Sequence, residues 1–154
     1  MADYRVYSAD ARAVEDVLAS IRPADRDELT ASRGPDYART LHEALEVTEH
    51  PLCVYTPYSA LCVFGLARPT MLSPEGIPWL IGTTELPNYY SSLIYEARRY
   101  VAHWRETSTH LYNYVDTRNK ASVLWLRRLG FTIGEPEPHG VEGLMFHRFE
   151  LAGV

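Results

Sequence analysis

The sequence has 154 residues, enough to bury one substantial hydrophobic core but short for two ordinary domains. Hydrophobic residues make up 46% and charged residues 23%, which excludes a disordered tail, a collagen-like array and a disulfide-stapled miniprotein. The net charge of −5 argues against non-specific nucleic-acid binding. We therefore expect one globular domain over residues 1–154.

No targeting or membrane segment is predicted. The apolar run Ala60–Ala67 is far shorter than the roughly 20 residues that span a bilayer, and the charged N-terminus does not resemble a signal peptide. We expect a protein that starts out in a cytoplasm.

The two cysteines, Cys53 and Cys62, would face each other if residues 53–62 form a hairpin centred on Pro57 and Tyr58. A disulfide is then geometrically conceivable, but a reducing compartment favours two buried thiols. The six histidines lack the spacing of metal ligands, so no metal is predicted.

The first part of the chain predicts a short strand followed by three helices. Ser8 or Asp10 can cap the first helix, and Pro23 ends it because proline donates no amide. The predicted elements are a strand at Tyr4–Ser8, a helix carrying Val14, Val17, Leu18 and Ile21, an acidic helix at Asp25–Ala31, and a helix from Tyr37 to Thr48.

The middle of the chain predicts strands that are buried on both faces. The strands are Leu52–Tyr55, Ala60–Ala67 and Trp79–Ile81, with a loop at Met71–Ile77. Because the first two are apolar at successive positions, we expect a sheet with helices above and below.

The last part predicts two helices and three strands. These are a long helix at Pro87–Arg105, a strand at Leu111–Val115, a helix capped by Asn119 and ending at Leu129, and strands at Phe131–Ile133 and Leu144–Leu151. A loop carrying Pro136, Pro138, Gly140 and Gly143 is expected between the last two strands.

The segment from Asn113 to Phe131 is similar to a feature of the Gcn5-related N-acetyltransferase (GNAT) superfamily. There, a strand precedes a helix that an Asn begins eleven residues before a Gly-Phe pair, as Asn119 precedes Gly130 here. The order of elements is similar over nearly the whole chain. The resemblance implies a single α/β (α+β) GNAT-like domain with a mixed, mostly antiparallel sheet of about six to seven strands and helices on both faces.

Three shorter segments resemble one phage branch of that superfamily, the internal virion protein A family of short-tailed bacteriophages. They are Asn113–Val115, Arg118–Ser122 and Pro78–Gly82. The resemblance implies other phage structural proteins as partners, an oligomer within a particle, and a location in the virion or in the host cytoplasm during infection.

In the acetyltransferases, closely spaced glycines after the fourth strand let backbone amides approach the diphosphate of acetyl-CoA. The matching stretch here, Gly82–Asn88, has one glycine, a proline without an amide, and Glu85 where phosphates would lie. We therefore expect no cofactor. If acetyl-CoA is bound, the resemblance assigns it to Leu80, Ile81, Gly82, Thr83, Thr84 and Asn119.

The catalytic groups are also missing or ambiguous. The acid of the superfamily is commonly a Tyr four residues before the Gly, and Leu126 stands there. Tyr89, Tyr90 and Tyr114 are alternatives among eleven tyrosines, and Glu85, Glu43 or a water are alternatives for a base. Asn119 is interpreted first as a helix cap.

Other groups have a functional and a plain structural interpretation. Five arginines of the two late helices could form a phosphate patch, but we favour a solvent-facing helix surface. Three carboxylates of the acidic helix could form an acid–base pair, but we favour a solvent-facing surface for them too. We assign the three tryptophans to the core. His139 could lie over a substrate groove. The groups are Arg98, Arg99, Arg105, Arg127 and Arg128; Asp25, Asp27 and Glu28; and Trp79, Trp104 and Trp125.

The sequence thus predicts a non-catalytic, virion-associated or assembly component that acts through protein contacts, with Met71–Ile77 and Glu135–Gly143 as contact loops. The alternative is an acetyl-CoA-dependent N-acetyltransferase with a degenerate phosphate loop. A nucleic-acid-directed acetyltransferase toxin is disfavoured by the charge.

Overall fold

The computed structural model describes residues 3–154. Its strands are β1 (Arg5–Ser8), β2 (Thr48–Tyr55), β3 (Ala60–Ala67), β4 (Ile77–Gly82), β5 (His110–Asp116), β6 (Thr132–His139) and β7 (Leu144–Ala152). Its helices are α1 (Ala11–Leu18), α2 (Pro23–Arg33), α3 (Tyr37–Glu46), α4 (Tyr90–Thr107) and α5 (Lys120–Arg128), and a 3₁₀ turn at Leu86–Tyr89 leads into α4.

Short polar residues begin three of the helices. The side chains of Asp10, Asp36 and Asn119 accept hydrogen bonds from amides in the first turns of α1, α3 and α5. Pro23 opens α2, where its missing amide costs nothing. These caps place the helices close to where the sequence predicts them.

The seven strands form two antiparallel sheets that meet at one point. The first has the order β1-β2-β3-β4 and the second β5-β7-β6. A single parallel bridge, Gly76 to Leu111, joins them, and the Asn113 side chain donates to the Pro78 carbonyl at 2.9 Å. Beyond these contacts no ladder within residues 3–154 joins β4 to β5, which leaves a gap between their carboxyl ends.

Helices cover both faces of the sheets, as predicted. Val14 of α1 and Leu41 of α3 pack against Val63 and Ile81 on one face. On the other face, Leu93 of α4 packs against a cluster with Leu61 and Phe64. The helices α4 and α5 also close the core of the second sheet, which contains Val101, Leu111, Val115, Val123 and Phe149. Within the described residues, no helix is long and apolar enough to cross a membrane.

Some local predictions are wrong. Thr48 is the first residue of β2 and does not belong to the preceding helix, which ends at Glu46. Half of the expected loop at residues 136–143 is strand, because β6 continues through Pro136 and Pro138 to His139 and only residues 140–143 form the turn. Prolines fit there since β6 is an edge strand.

The cysteines do not face each other. Cys53 pairs with Val63, and Val54 pairs with Cys62, so the two thiols are one position out of register. Neighbouring positions of a strand point to opposite faces of the sheet. Both cysteines are buried and free, and the fold keeps them apart.

Candidate functional site

The first turns of α2 lie across the gap between β4 and β5. The Gly82 amide at the end of β4 donates to Asp25 Oδ2 at 2.8 Å, and the Asp116 amide at the end of β5 donates to Glu28 Oε1 at 2.9 Å. We call Asp25 and Glu28 the carboxylate clip. Because the two residues are three apart on one helix face, they hold the ends of both strands together.

A network of side chains supports the clip. Arg22 Nη1 lies 3.2 Å from Asp25 Oδ1 in a buried ion pair. Asn119 Nδ2 donates to Asp25 at 3.4 Å and to Glu28 at 3.3 Å, and Arg118 pairs with Asp116 at 2.7 Å. Three carboxylates therefore face two guanidinium groups, and Glu28 is the one without a cation.

Burial shapes the acidity of these groups. Burial raises the pKa of Glu28 to about 8, helped by the charges of Asp25 and Asp116 and only partly offset by the Asp116 amide. Burial also raises the pKa of Asp25, against the charge of Arg22. For Asp116, burial is outweighed by the hydrogen bonds of Arg118, which keep its pKa below the usual range.

Backbone amides of the loop after β4 already donate hydrogen bonds to carbonyl groups of the protein. Thr83 N donates to Leu61 O at 2.9 Å, Thr84 N to Ser20 O at 3.0 Å, and Asn88 N to Glu85 O at 3.2 Å. The Thr83 hydroxyl turns inward to the Ala60 carbonyl at 2.9 Å. These groups are therefore satisfied within the protein.

A leucine covers the one glycine of this loop. The Leu86 side chain lies so close to Gly82 that a Cβ atom there would clash with it, and Leu86 is buried. The small size of Gly82 thus serves packing inside the protein.

Behind the clip lies a cavity of about 580 Å³. We call it the central cavity. Its walls include β4 from Ile77 to Ile81 and β5 from Asn113 to Val115. His139 stacks on Tyr114 with ring centroids 3.7 Å apart, and both line the cavity.

Comparison with known proteins identifies the architecture. The chain is similar to a GNAT-family acetyltransferase from Streptococcus pneumoniae, with a TM-score of 0.64, 15% identity, and coverage of 99% of this chain and 100% of the other. It is similar to spermidine N-acetyltransferase from Vibrio cholerae in complex with CoA and spermine, with a TM-score of 0.67, 11% identity, and coverage of 97% of this chain and 95% of the other. It is also similar to aminoglycoside N(6')acetyltransferase from Legionella pneumophila, with a TM-score of 0.68, 11% identity, and coverage of 99% of this chain and 94% of the other.

The chain has the GNAT fold. At these identities the likeness extends to the fold alone. No protein-family model matches the sequence, and no curated protein matches it either.

The residues of the loop after β4 that the resemblance assigns to acetyl-CoA do not fit a diphosphate here. The Gly82, Thr83 and Thr84 amides already have partners, Pro87 has none to offer, and Glu85 is exposed in the same loop. Leu80 is partly buried, and Ile81 is in the core. A negative diphosphate would meet a carboxylate there and would find the amides of Gly82, Thr83 and Thr84 already bonded.

Several positions that the resemblance relates to catalysis or cofactor binding make other contacts in the structure. Leu126 packs against the core of the second sheet. Asn119 caps α5 through its bond from Ser122 N at 3.4 Å, as predicted, but it also holds both carboxylates of the clip. Glu43, a candidate base, is exposed and bonds Arg39 at 2.9 Å.

The prediction that the α2 carboxylates face water is wrong for Asp25, which is 1% exposed. Asp27, between the clip residues, is exposed. The three-residue spacing of Asp25 and Glu28 and the positive Arg22 were the available signals, but neither places α2 over the gap.

The arginines of α4 and α5 show no convergent phosphate site. Arg98 donates to the Arg128 carbonyl at 3.3 Å, and Arg105 donates to the Ala152 carbonyl at 2.8 Å. Both are surface groups that bind main-chain carbonyls at the ends of other elements.

Proposed function

We propose that this protein is a non-catalytic member of the GNAT architecture that acts through protein contacts. The observation that carries the proposal is the carboxylate clip, which takes up the strand-end amides at the gap between β4 and β5. The bonded amides of the loop after β4, and Leu126 at the position of the superfamily's acid, also support the proposal.

A virion-associated or assembly role in a phage is part of this proposal. It rests on the resemblance of Asn113–Val115, Arg118–Ser122 and Pro78–Gly82 to internal virion protein A. The partners would be other phage structural proteins, in the virion or in the host cytoplasm during infection. Met71 and Leu72, each 95% exposed on the β3–β4 connection, offer an apolar contact.

The second candidate is an acetyl-CoA-dependent N-acetyltransferase. The central cavity between β4 and β5 favours it, as do the acetyltransferase names of the three similar structures. This function requires the clip to leave the strand ends and the loop amides to exchange their partners.

Calorimetry with acetyl-CoA separates the two candidates. We expect no binding heat at millimolar ligand for the native chain, with the Vibrio cholerae spermidine N-acetyltransferase as positive control. A micromolar dissociation constant would overturn the non-catalytic proposal.

The assembly role is tested in the phage that encodes the chain. We expect mass spectrometry to detect the protein in purified particles or assembly intermediates, and the double variant Met71→Ser, Leu72→Ser to lower its incorporation several-fold. Tyr58→Ser is the matched control, because Tyr58 is equally exposed on a different turn. Absence of the native protein from both samples contradicts the role, and unchanged incorporation of the double variant contradicts this contact.

A further inference from the structure

We propose that the central cavity is a binding site for a small, uncharged and mainly apolar molecule. The inference concerns a ligand of the cavity and does not depend on whether the protein is catalytic. The size, the lining and the charge of the cavity support it.

The size of the cavity is that of a ligand site. Its volume of about 580 Å³ falls within the roughly 300–1,000 Å³ of typical small-molecule pockets. A packing defect is far smaller, since cores seldom leave voids larger than a water molecule. The exposed residues Arg33, Glu43 and Val47 belong to its lining and mark an opening beside α3.

The lining is mainly apolar and aromatic. All three tryptophans of the chain take part, together with core residues from both sheets and α4. The members used in the argument are Trp79, Trp104, Trp125, Leu93, Val101 and Phe149. Removing an apolar molecule from water into such a lining is favourable.

Among the described residues, most charged groups of the lining are already paired; the exceptions are Glu28 and Arg33, and Arg33 is exposed at the opening. Asp25 pairs with Arg22, and Arg68 bonds Glu49 at 3.2 Å and Ser108 at 3.3 Å. Glu43 pairs with Arg39. A charged ligand would lose its hydration without gaining a free counter-charge from these groups.

Two titratable groups of the wall, Glu28 and His139, also favour a neutral ligand. The pKa of Glu28, at about 8, keeps this carboxyl mostly protonated at neutral pH. Burial lowers the pKa of His139, so its ring stays neutral.

A few polar groups remain for orientation. Glu28 Oε2 and the hydroxyls of Tyr90 and Tyr100 have no hydrogen-bond partner in the part of the chain that the structure describes, and all three residues line the cavity. A ligand with one polar group on an apolar body suits this arrangement.

The test uses N-phenyl-1-naphthylamine, a neutral apolar fluorophore. Because the tryptophans line the cavity, bound probe should quench their emission while its own emission rises. We expect saturable binding at one probe per chain with a micromolar dissociation constant. Failure to saturate, or a stoichiometry well above one, would overturn the proposal.

Larger side chains introduced on α4 test whether the probe binds inside the cavity. Ala97 lines the cavity, so Ala97→Phe should weaken probe binding at least tenfold, and the smaller Ala97→Leu should weaken it less. Ala102→Phe is the matched control, because Ala102 is exposed on the same helix; we expect a change below twofold. Circular dichroism checks folding, and equal binding by native protein and whichever Ala97 variant folds would contradict the proposal.

Competition separates this inference from the proposed function. Acetyl-CoA should leave the bound probe in place. If acetyl-CoA displaces the probe, the cavity is still a ligand site but the non-catalytic proposal fails. If the probe does not bind and acetyl-CoA gives no heat, the cavity inference fails and the proposed function stands.

Discussion

Asp25 is the most heavily bonded carboxylate of the clip. It accepts from Arg22, from the Gly82 amide and from Asn119 while almost fully buried. Removing it would leave a buried guanidinium and a buried amide without partners. Breaking a buried ion pair from one side costs several kcal/mol because the remaining charge is uncompensated.

We therefore predict that Asp25→Ala lowers the free energy of unfolding by about 3–5 kcal/mol. Asp27→Ala is the control, since Asp27 is exposed on the same helix, and its effect should stay within about 0.5 kcal/mol. Urea unfolding measures both. Equal effects would show that the clip does not hold the fold together.

Glu28 gives the stability a pH dependence of definite sign. Its pKa is raised from 4.5 to about 8 on folding, so between these values the folded state holds a proton that the unfolded state has lost. Stability from this group is therefore full below about pH 4.5 and falls as the pH rises towards 8.

Glu28→Gln imitates the protonated form and should remove this slope. We expect variant and native protein to be similarly stable near the acid end of that range, and the variant to become progressively more stable as the pH rises through it. Thermal unfolding at several pH values measures the difference. A difference independent of pH would contradict the raised pKa.

For single residues, the sequence predicts those roles that depend on neighbours in the chain. Asn119 is a cap because its side chain reaches an amide three residues later. The burial of Asp25 depends on Gly82 and Asn119, which are 57 and 94 residues away. No local pattern specifies such contacts.

Among the elements, the β6–β7 hairpin is attached to α2 by its turn. Val141 N donates to Ser32 O at 3.2 Å, and Glu142 N donates to Ala31 O at 3.3 Å. Gly140 and Gly143 both have positive φ, +81° and +64°. Only Gly140 touches α2, because a Cβ there would lie 2.6 Å from Ser32 Cα, whereas nothing lies within 4 Å at Gly143.

The two glycines form a matched pair for mutation. Gly143→Ala should cost only the left-handed backbone penalty of about 1–2 kcal/mol. Gly140→Ala should cost clearly more, because the turn must also move away from α2. Chemical denaturation of both variants measures the difference, and equal losses would mean that the attachment contributes no stability.

Element prediction succeeds where periodicity and caps agree and fails where tertiary pairing decides. The strand Ala60–Ala67 has its predicted bounds. Pro136 and Pro138 are typical of loops, so the sequence does not predict a strand at residues 134–139. Pairing with β7 overrides that preference.

For the whole molecule, the buried thiols report on global unfolding. Cys53 and Cys62 are 2% and 1% exposed and lie on opposite faces of the first sheet. Burial raises the pKa of the Cys62 thiol, which suppresses its reactive thiolate. Neither thiol can reach the other without unfolding the sheet.

We predict that an aromatic disulfide reagent modifies neither thiol in the native protein and both in denaturant. The rate should follow the unfolding rate or the unfolded population. Oxidation of native protein should give no intramolecular disulfide on a non-reducing gel. Rapid modification without denaturant, or an internal disulfide, would contradict the register of β2 and β3.

The two-sided burial predicts helices on both faces of the sheet, and the resemblance of the order of elements and of the motif from Asn113 to Phe131 implies the GNAT fold. The split into two sheets and the clip across their gap could not be predicted. Both depend on where β4 and β5 part, and this is determined by packing between residues distant in sequence, such as Asn113 and Pro78.

The edge strands are β1 and β4 in the first sheet and β5 and β6 in the second. Because β4 and β5 face each other across the gap, β1 and β6 are the outer edges. Pro136 and Pro138 lack amide hydrogens, and prolines of edge strands point that missing donor towards solvent, so β6 is a poor template for another chain. Strand addition is then directed to β1. Pairing of two copies through β1 would occupy that edge in both, and the outer edge that remains is β6, so we expect association through the outer strands to stop at a dimer.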